Sequence, residues 1–257
     1  MLSELKFTRF SAIKPPRLSK RFTLVGNTTL IKESGGNLTD GIAERLTIPD
    51  LAAFAALLPT LTPKQALSYG ISGHERARVI PKDALPPVGS DLPIIHRTRD
   101  HFIWPAGPGI LMLDYAPAPD GRPLGMEALR VALATACPAL ADAPVVWRPS
   151  ASSCIFAQGG TELRGVAGQR LYIPVIDASD IPRALAVLVE RLWLARFGRY
   201  ELSKSGAWLA RTAVDASVAQ PERLDFCGGA ECGKGLVQRL PETLVLNPHA
   251  AHLDYRT

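Results

Sequence analysis

Residues 109–115, Gly-Ile-Leu-Met-Leu-Asp-Tyr, run apolar without a break until a single acid near the end. A strand with one wet face alternates apolar and polar side chains, so a short run without alternation has to be covered on both faces. The chain that follows supplies cover. Residues 125–140 set Met126, Leu129, Leu133 and Leu140 on one helical face. VVWRPSASSCIF (145–156) begins as a strand and turns polar midway, and QRLYIPVID (169–177) is a further strand. Asp180 caps a long helix with Pro182 in its first turn, Leu185, Leu188 and Leu192 along its buried stripe, and Gly198 as its stop. RYELS (199–203) gives a last strand, followed by a loop and AVDASV (213–218).

The order is β-α-β-β-α-β. It predicts an α+β fold of the ferredoxin/RRM-like kind: two helices on one face of an antiparallel sheet, with the other face left for nucleic acid, nucleotide or metal. Upstream, FTLVG and TTLIK read as short strands, Gly35-Gly36 as a turn, and residues 49–58 as a helix stopped by Pro59. Thr62-Pro63-Lys64-Gln65 has the form of a capping box and predicts a second helix, closed by Gly70. PKDALPPVGSDLP (81–93) is the best internal boundary. It divides a basic N-terminal α/β module (1–90) from a palm with a C-terminal extension (91–257).

At 257 residues, 47% hydrophobic and 21% charged, the composition is that of a globular chain and excludes disorder, collagen and coiled coil. No apolar run reaches the ~18–20 residues of a membrane span, and the N-terminus lacks the apolar core of a signal peptide. A cytoplasmic chain with no membrane partner is expected. Four cysteines are too few to read as a disulfide scaffold. The net charge of +5 is uneven: residues 1–32 hold Lys6, Arg9, Lys14, Arg17, Lys20, Arg21 and Lys32 against Glu4 alone. Such a segment suits polyphosphate, nucleic acid included.

Chemistry-bearing residues cluster in the second part. Asp114 ends the apolar strand, where it either holds a turn before Pro117 or projects a carboxylate at the sheet edge. Asp215 is a lone acid in the small, apolar RTAVDASV. Brought together, the two would form a cation site for Mg²⁺ or Mn²⁺. Ser150, Ser152 and Ser153 with Arg148 and Arg170 read either as a phosphate-binding surface or as a polar hairpin satisfying its own backbone. SKSG (203–206), with Lys204, and Arg211 make a small basic loop or a simple turn.

Taken in order, LMLDY, the Ser-rich hairpin leading into GQRLYIPV, and RTAVDASV followed by PERLDFCGG resemble the archaeo-eukaryotic primase superfamily. The likeness is to the primase–polymerase proteins of bacterial plasmids, phages and integrated elements, and covers about residues 90–235. It implies a template-dependent nucleotidyltransferase that makes primers in the replication of a mobile element. The resemblance places two divalent ions on Asp114, Asp215 and a second acid at position 116, and nucleoside triphosphates on Arg148, Ser150, Ser152, Ser153 and Arg170. It places a single-stranded DNA template along Arg97, Arg99, Lys204 and Arg211, and a replicative helicase is an implied partner. Two positions depart from the pattern. Arg170 stands where a histidine is usual, and Ala116 stands where a second acid is usual, so that LDYAPAPDG reads as LDYDPAPDG with one carboxylate gone. A degenerate or deliberately substituted site would give this text, and alanine cannot ligate a metal.

The alternative is a non-catalytic nucleic-acid-binding module on the same fold, which explains Ala116 directly but lacks the aromatic pair on adjacent strands that RNA readers use. Cys227 and Cys232 with His249 and His252 have poor zinc spacing. Trp104, Trp147, Trp193 and Trp208 all read as core rather than as base-stacking platforms, with Trp208, beside SKSG, the one that the loop leaves open to exposure. No Walker A sequence is present.

Overall fold

The structure is a computed structural model and describes residues 4–26, 29–86, 89–118, 121–203 and 205–256. The chain opens with β1 (Leu5–Lys14), β2 (Arg21–Val25), β3 (Thr29–Glu33), β4 (Asp40–Ile48) and α1 (Leu51–Leu57), then β5 (Gln65–Ser68), β6 (Arg76–Val79) and β7 (Ile94–Ile95). Five of these form one sheet in the order β5-β1-β4-β6-β7. β1 is buried on both faces: Leu5 and Phe7 enter one hydrophobic cluster, and Phe10, on the opposite side of the pleat, enters another. Past the proline-rich stretch the chain returns to this sheet, β7 pairing parallel with β6.

The helix expected after Thr62 is a strand. Gln65 does reach back to the Thr62 amide as a capping box would, at 3.0 Å, but its own amide bonds the Thr62 carbonyl and closes a turn. Ala66, Leu67 and Ser68 are all buried as β5 pairs with β1. Three consecutive buried positions suit a covered strand and not an amphipathic helix with one wet side. Gly70 is no left-handed cap. It lies where a Cβ would come within 2.4 Å of the Pro221 side chain, so its role is close approach. The first helix forms, with the Asp50 carboxylate accepting from the Ala53 amide at 2.8 Å.

The second part runs β8 (Gly109–Tyr115), α2 (Met126–Ala136), β9 (Val145–Pro149), β10 (Ile155–Ala157), β11 (Glu162–Arg164), β12 (Gln169–Val175) and α3 (Ile181–Leu194). It continues with β13 (Arg199–Leu202), β14 (Trp208–Arg211), β15 (Glu231–Cys232), β16 (Leu236–Gln238) and β17 (Leu244–Leu246). The fold is α+β. An antiparallel sheet of order β17-β9-β12-β8 carries α2 and α3, whose buried Leu129, Leu133, Leu185, Leu188 and Leu192 join Leu111, Leu113, Leu171 and Ile173 in one cluster. α3 keeps Pro182 in its first turn, yet the Asp180 carboxylate binds Arg183 instead of capping, and the helix ends at Leu194 before Gly198 is reached.

Two expectations about this sheet are corrected. The RYELS strand, β13, pairs with β14 and not with β8, whose outer edge carries a single bridge, Tyr115 to Val214. The face left by the helices is also largely covered. Tyr172 is buried there against Phe54 and Tyr69, with ring centroids 5.0 and 5.8 Å away, so the N-terminal sheet and α1 close it. Side chains from both parts of the chain thus fill one core. The end of that face bearing Asp114 stays open. Among the described residues no helix is long and apolar enough to cross a membrane.

Candidate anion-binding site at the sheet edge

Register sets a charged row across the sheet: Arg170 of β12 lies opposite Asp114 of β8 on one side and opposite Arg148 of β9 on the other. Directly paired residues share a face, so the three side chains leave the sheet on the same side. Arg170 donates through Nη1 to the Asp114 carboxylate and through Nε to Asp225, at 3.1 Å. Asp225 is fully buried and also accepts from the hydroxyls of Tyr69, at 2.7 Å, and Tyr172, at 2.9 Å. A buried carboxylate is costly unless its oxygens are hydrogen-bonded, and these three donors satisfy them. Burial opposes the charge on Arg170, but Asp114 and Asp225 outweigh it and hold the guanidinium protonated. Burial, assisted by Asp225, pushes both tyrosine hydroxyls well up, so they stay protonated and donate to Asp225.

Next to this row opens a cavity of about 510 Å³, lined by Lys20, Lys32, Asp114, Ala116, Ser150, Ser152, Arg164, Arg170 and the Gly165–Gly168 loop. The Lys20 ammonium donates to Ser152 Oγ at 3.3 Å, Arg164 Nε to the Ser152 carbonyl at 2.6 Å, and the Ser150 and Ser152 hydroxyls lie 3.0 Å apart. Gly168 is required here, since a Cβ would lie 2.7 Å from Ser150 Oγ. Lys20 is held down to about 8, first by burial and then by repulsion from Arg170 and Lys32. Asp114 is pushed up by burial against the opposing pull of Arg170. Four cations face one carboxylate that is already paired, so the cavity is short of negative charge.

Of the residues expected at the site, Asp114, Ala116, Ser150, Ser152 and Arg170 come together here. Two do not. Arg148 turns to the Leu58 and Cys227 carbonyls, at 2.9 and 3.1 Å, and braces the core. Ser153 is buried, donating to the Gly168 carbonyl and accepting from the Ala167 amide, as a hairpin-stabilising serine does. Arg97 and Arg99 gather at Glu222, away from the cavity, while Arg211 faces a second one. Lys204 lies outside the described residues.

Asp215 reaches the same sheet edge, its amide donating to the Asp114 carbonyl at 3.0 Å. Its carboxylate, however, accepts from the Ser217 amide at 2.9 Å and lines the second cavity, of about 280 Å³. Ala116 and Pro117 line both cavities and stand between the two acids. This donor set does not fit a two-ion centre. Asp114 is paired with Arg170, Asp215 is turned into its own loop, and position 116 offers a methyl group. Among the described residues no three of His, Cys, Asp or Glu gather as a cation site.

Sequence reasoning missed Lys20, Lys32, Arg164 and Asp225 as site residues. The two lysines were visible only as part of a basic segment. Comparison with protein-family models, with curated proteins and with solved structures finds no match for this chain.

Proposed function

We propose that the chain binds the polyphosphate of a nucleoside triphosphate in the larger cavity, as the palm of a primase–polymerase-type nucleotidyltransferase that lacks its second acid. The observation that carries this reading is the convergence of Lys20, Lys32, Arg164 and Arg170 with the linked Ser150 and Ser152 hydroxyls on one open cavity. Guanidiniums bind phosphoryl oxygens as a fork, ammoniums as point charges, and hydroxyls add neutral donors. The β9-β12-β8 order with both helices on one face supports a ferredoxin-like palm whose fourth strand has shrunk to the Val214 bridge. In this role Asp225 orients Arg170, Arg164 fixes the Ser152 loop, and Lys20 approaches the anion from the N-terminal module. Catalysis is impaired by the Ala116 methyl group. The lack of a three-ligand cation cluster among the described residues favours, as a second reading, a binding module without catalysis.

The pH dependence of triphosphate affinity tests the cavity. The free Lys20 loses its proton near pH 8. A bound polyphosphate raises that value, so binding above about pH 8 takes up a proton and affinity falls by up to tenfold per pH unit. Titrations from about pH 7.5 to about 9.5 are expected to show this fall in the wild type, and a weaker, flat profile in Lys20→Met. A flat wild-type profile, or a Lys20→Met variant of unchanged affinity, contradicts the reading.

A further inference from the structure

We infer that the β13–β14 hairpin is a stacking platform for single-stranded nucleic acid. Among the described residues these two strands pair only with each other. Register sets Leu202 opposite Trp208 and Tyr200 opposite Ala210, so one face of the hairpin carries Tyr200, Leu202 and Trp208. That face is wet: the three are 65%, 63% and 70% exposed. Tyr200 is steadied from one side by Trp193, ring centroids 5.2 Å apart, at the end of α3. The other face carries Arg199 and Arg211 about Glu201 and turns to the second cavity, with Asp215 and Ala116.

The occupant follows from what surrounds the aromatic face. Residues 190–211 hold Arg191, Arg196, Arg199, Lys204 and Arg211 against Glu190 and Glu201. Exposed rings on a segment with five cations against two acids suit a chain whose bases stack and whose backbone is anionic. Three separate side chains on a two-stranded ribbon give a protein partner little apolar area to bury, whereas each ring can accept one base. The position agrees, because the opposite face of the hairpin lines the second cavity, which shares Ala116 and Pro117 with the polyphosphate cavity, so the platform adjoins the nucleotide. Only this continuity rests on the proposed function; the platform itself does not.

The test is fluorescence anisotropy of a labelled oligothymidylate and of a blunt duplex of equal length, with the full chain. Trp208→Ala and Tyr200→Ala are each expected to weaken single-strand binding about 5- to 100-fold, the effect of losing one stacked base. Trp208→Phe should retain most of the affinity, the duplex should be insensitive to Trp208→Ala, and triphosphate affinity should stay unchanged in all three. Because Trp208 is exposed, its loss leaves the core intact. Unchanged oligothymidylate binding in Trp208→Ala, or equal losses for duplex and single strand, overturns the inference. So does a self-association, seen in sedimentation, that Trp208→Ala abolishes while oligothymidylate affinity holds. Failure of the wild type to bind triphosphate, with the Trp208 dependence intact, rejects the cavity assignment and leaves the platform standing.

Discussion

Asp225→Ala is expected to lower the unfolding free energy by about 3–5 kcal/mol, the cost of removing one partner from a buried ion pair. Three donors lose their acceptor at once: Arg170 Nε and the hydroxyls of Tyr69 and Tyr172. Tyr69 follows β5, Tyr172 lies in β12, and Asp225 is held by backbone bonds to Leu67 in both directions. The carboxylate therefore ties the N-terminal sheet to the second sheet, and both lose support together. Total stabilities of about 5–15 kcal/mol make this a large fraction. Urea unfolding checks it as a shift of the midpoint at constant slope. Asp225→Asn should fall between, since it keeps an acceptor for a tyrosine hydroxyl and loses the charge facing Arg170. An alanine variant within about 0.5 kcal/mol of the wild type, the range of ordinary surface substitutions, would deny the network its role.

Ala116→Asp is expected to have the largest effect on activity. Position 116 is exposed and lines both cavities, with Asp114 in one and Asp215 in the other. Residues two apart at a strand end point the same way, so a carboxylate there stands beside that of Asp114. Together with Asp114 it would draw a cation that competes with Arg170 for the Asp114 carboxylate, and it would supply the ligand that the present donor set lacks. The expected outcome is Mg²⁺- or Mn²⁺-dependent nucleotide incorporation on a single-stranded template where the parent chain shows little, a gain of about 100-fold or more if positioning is restored. Adding Asp215→Ala should remove it again. A folded, triphosphate-binding Ala116→Asp chain that incorporates nothing would favour the non-catalytic reading.

How much of this could be read from the residues depends on the range of the interactions. β8, β9, β12, α2 and α3 announce themselves because their patterns are local and repeat over several residues. β1 does not: Lys6, Arg9 and Lys14 interrupt its apolar positions, and its two faces serve different clusters, so its charge stands out before its strand character. β5 fails for another reason, since the Thr62–Gln65 contact that starts a helix also closes a turn, and only pairing with β1 decides between them. At the site, Asp114 and Arg170 are legible as polar residues ending apolar strands. Asp225 is not. In PERLDF it reads as an ordinary loop acid, and its partners Tyr69, Tyr172 and Arg170 lie 156, 53 and 55 residues away. Arg148 and Ser153 mislead in the opposite sense, because residue type suits phosphate while position assigns them to the core.

Calorimetric titration with a nucleoside triphosphate, repeated with inorganic tripolyphosphate and with the bare nucleoside, decides whether the cavity beside Asp114 holds a polyphosphate. Triphosphate and tripolyphosphate are expected to bind competitively, with affinity falling as salt is added, Lys20→Met and Arg164→Met each weakening both by about 5- to 100-fold as charge-assisted hydrogen bonds are lost, and the nucleoside alone binding far more weakly. Triphosphate binding that tripolyphosphate does not displace, or that survives both substitutions unchanged, would contradict the polyphosphate assignment.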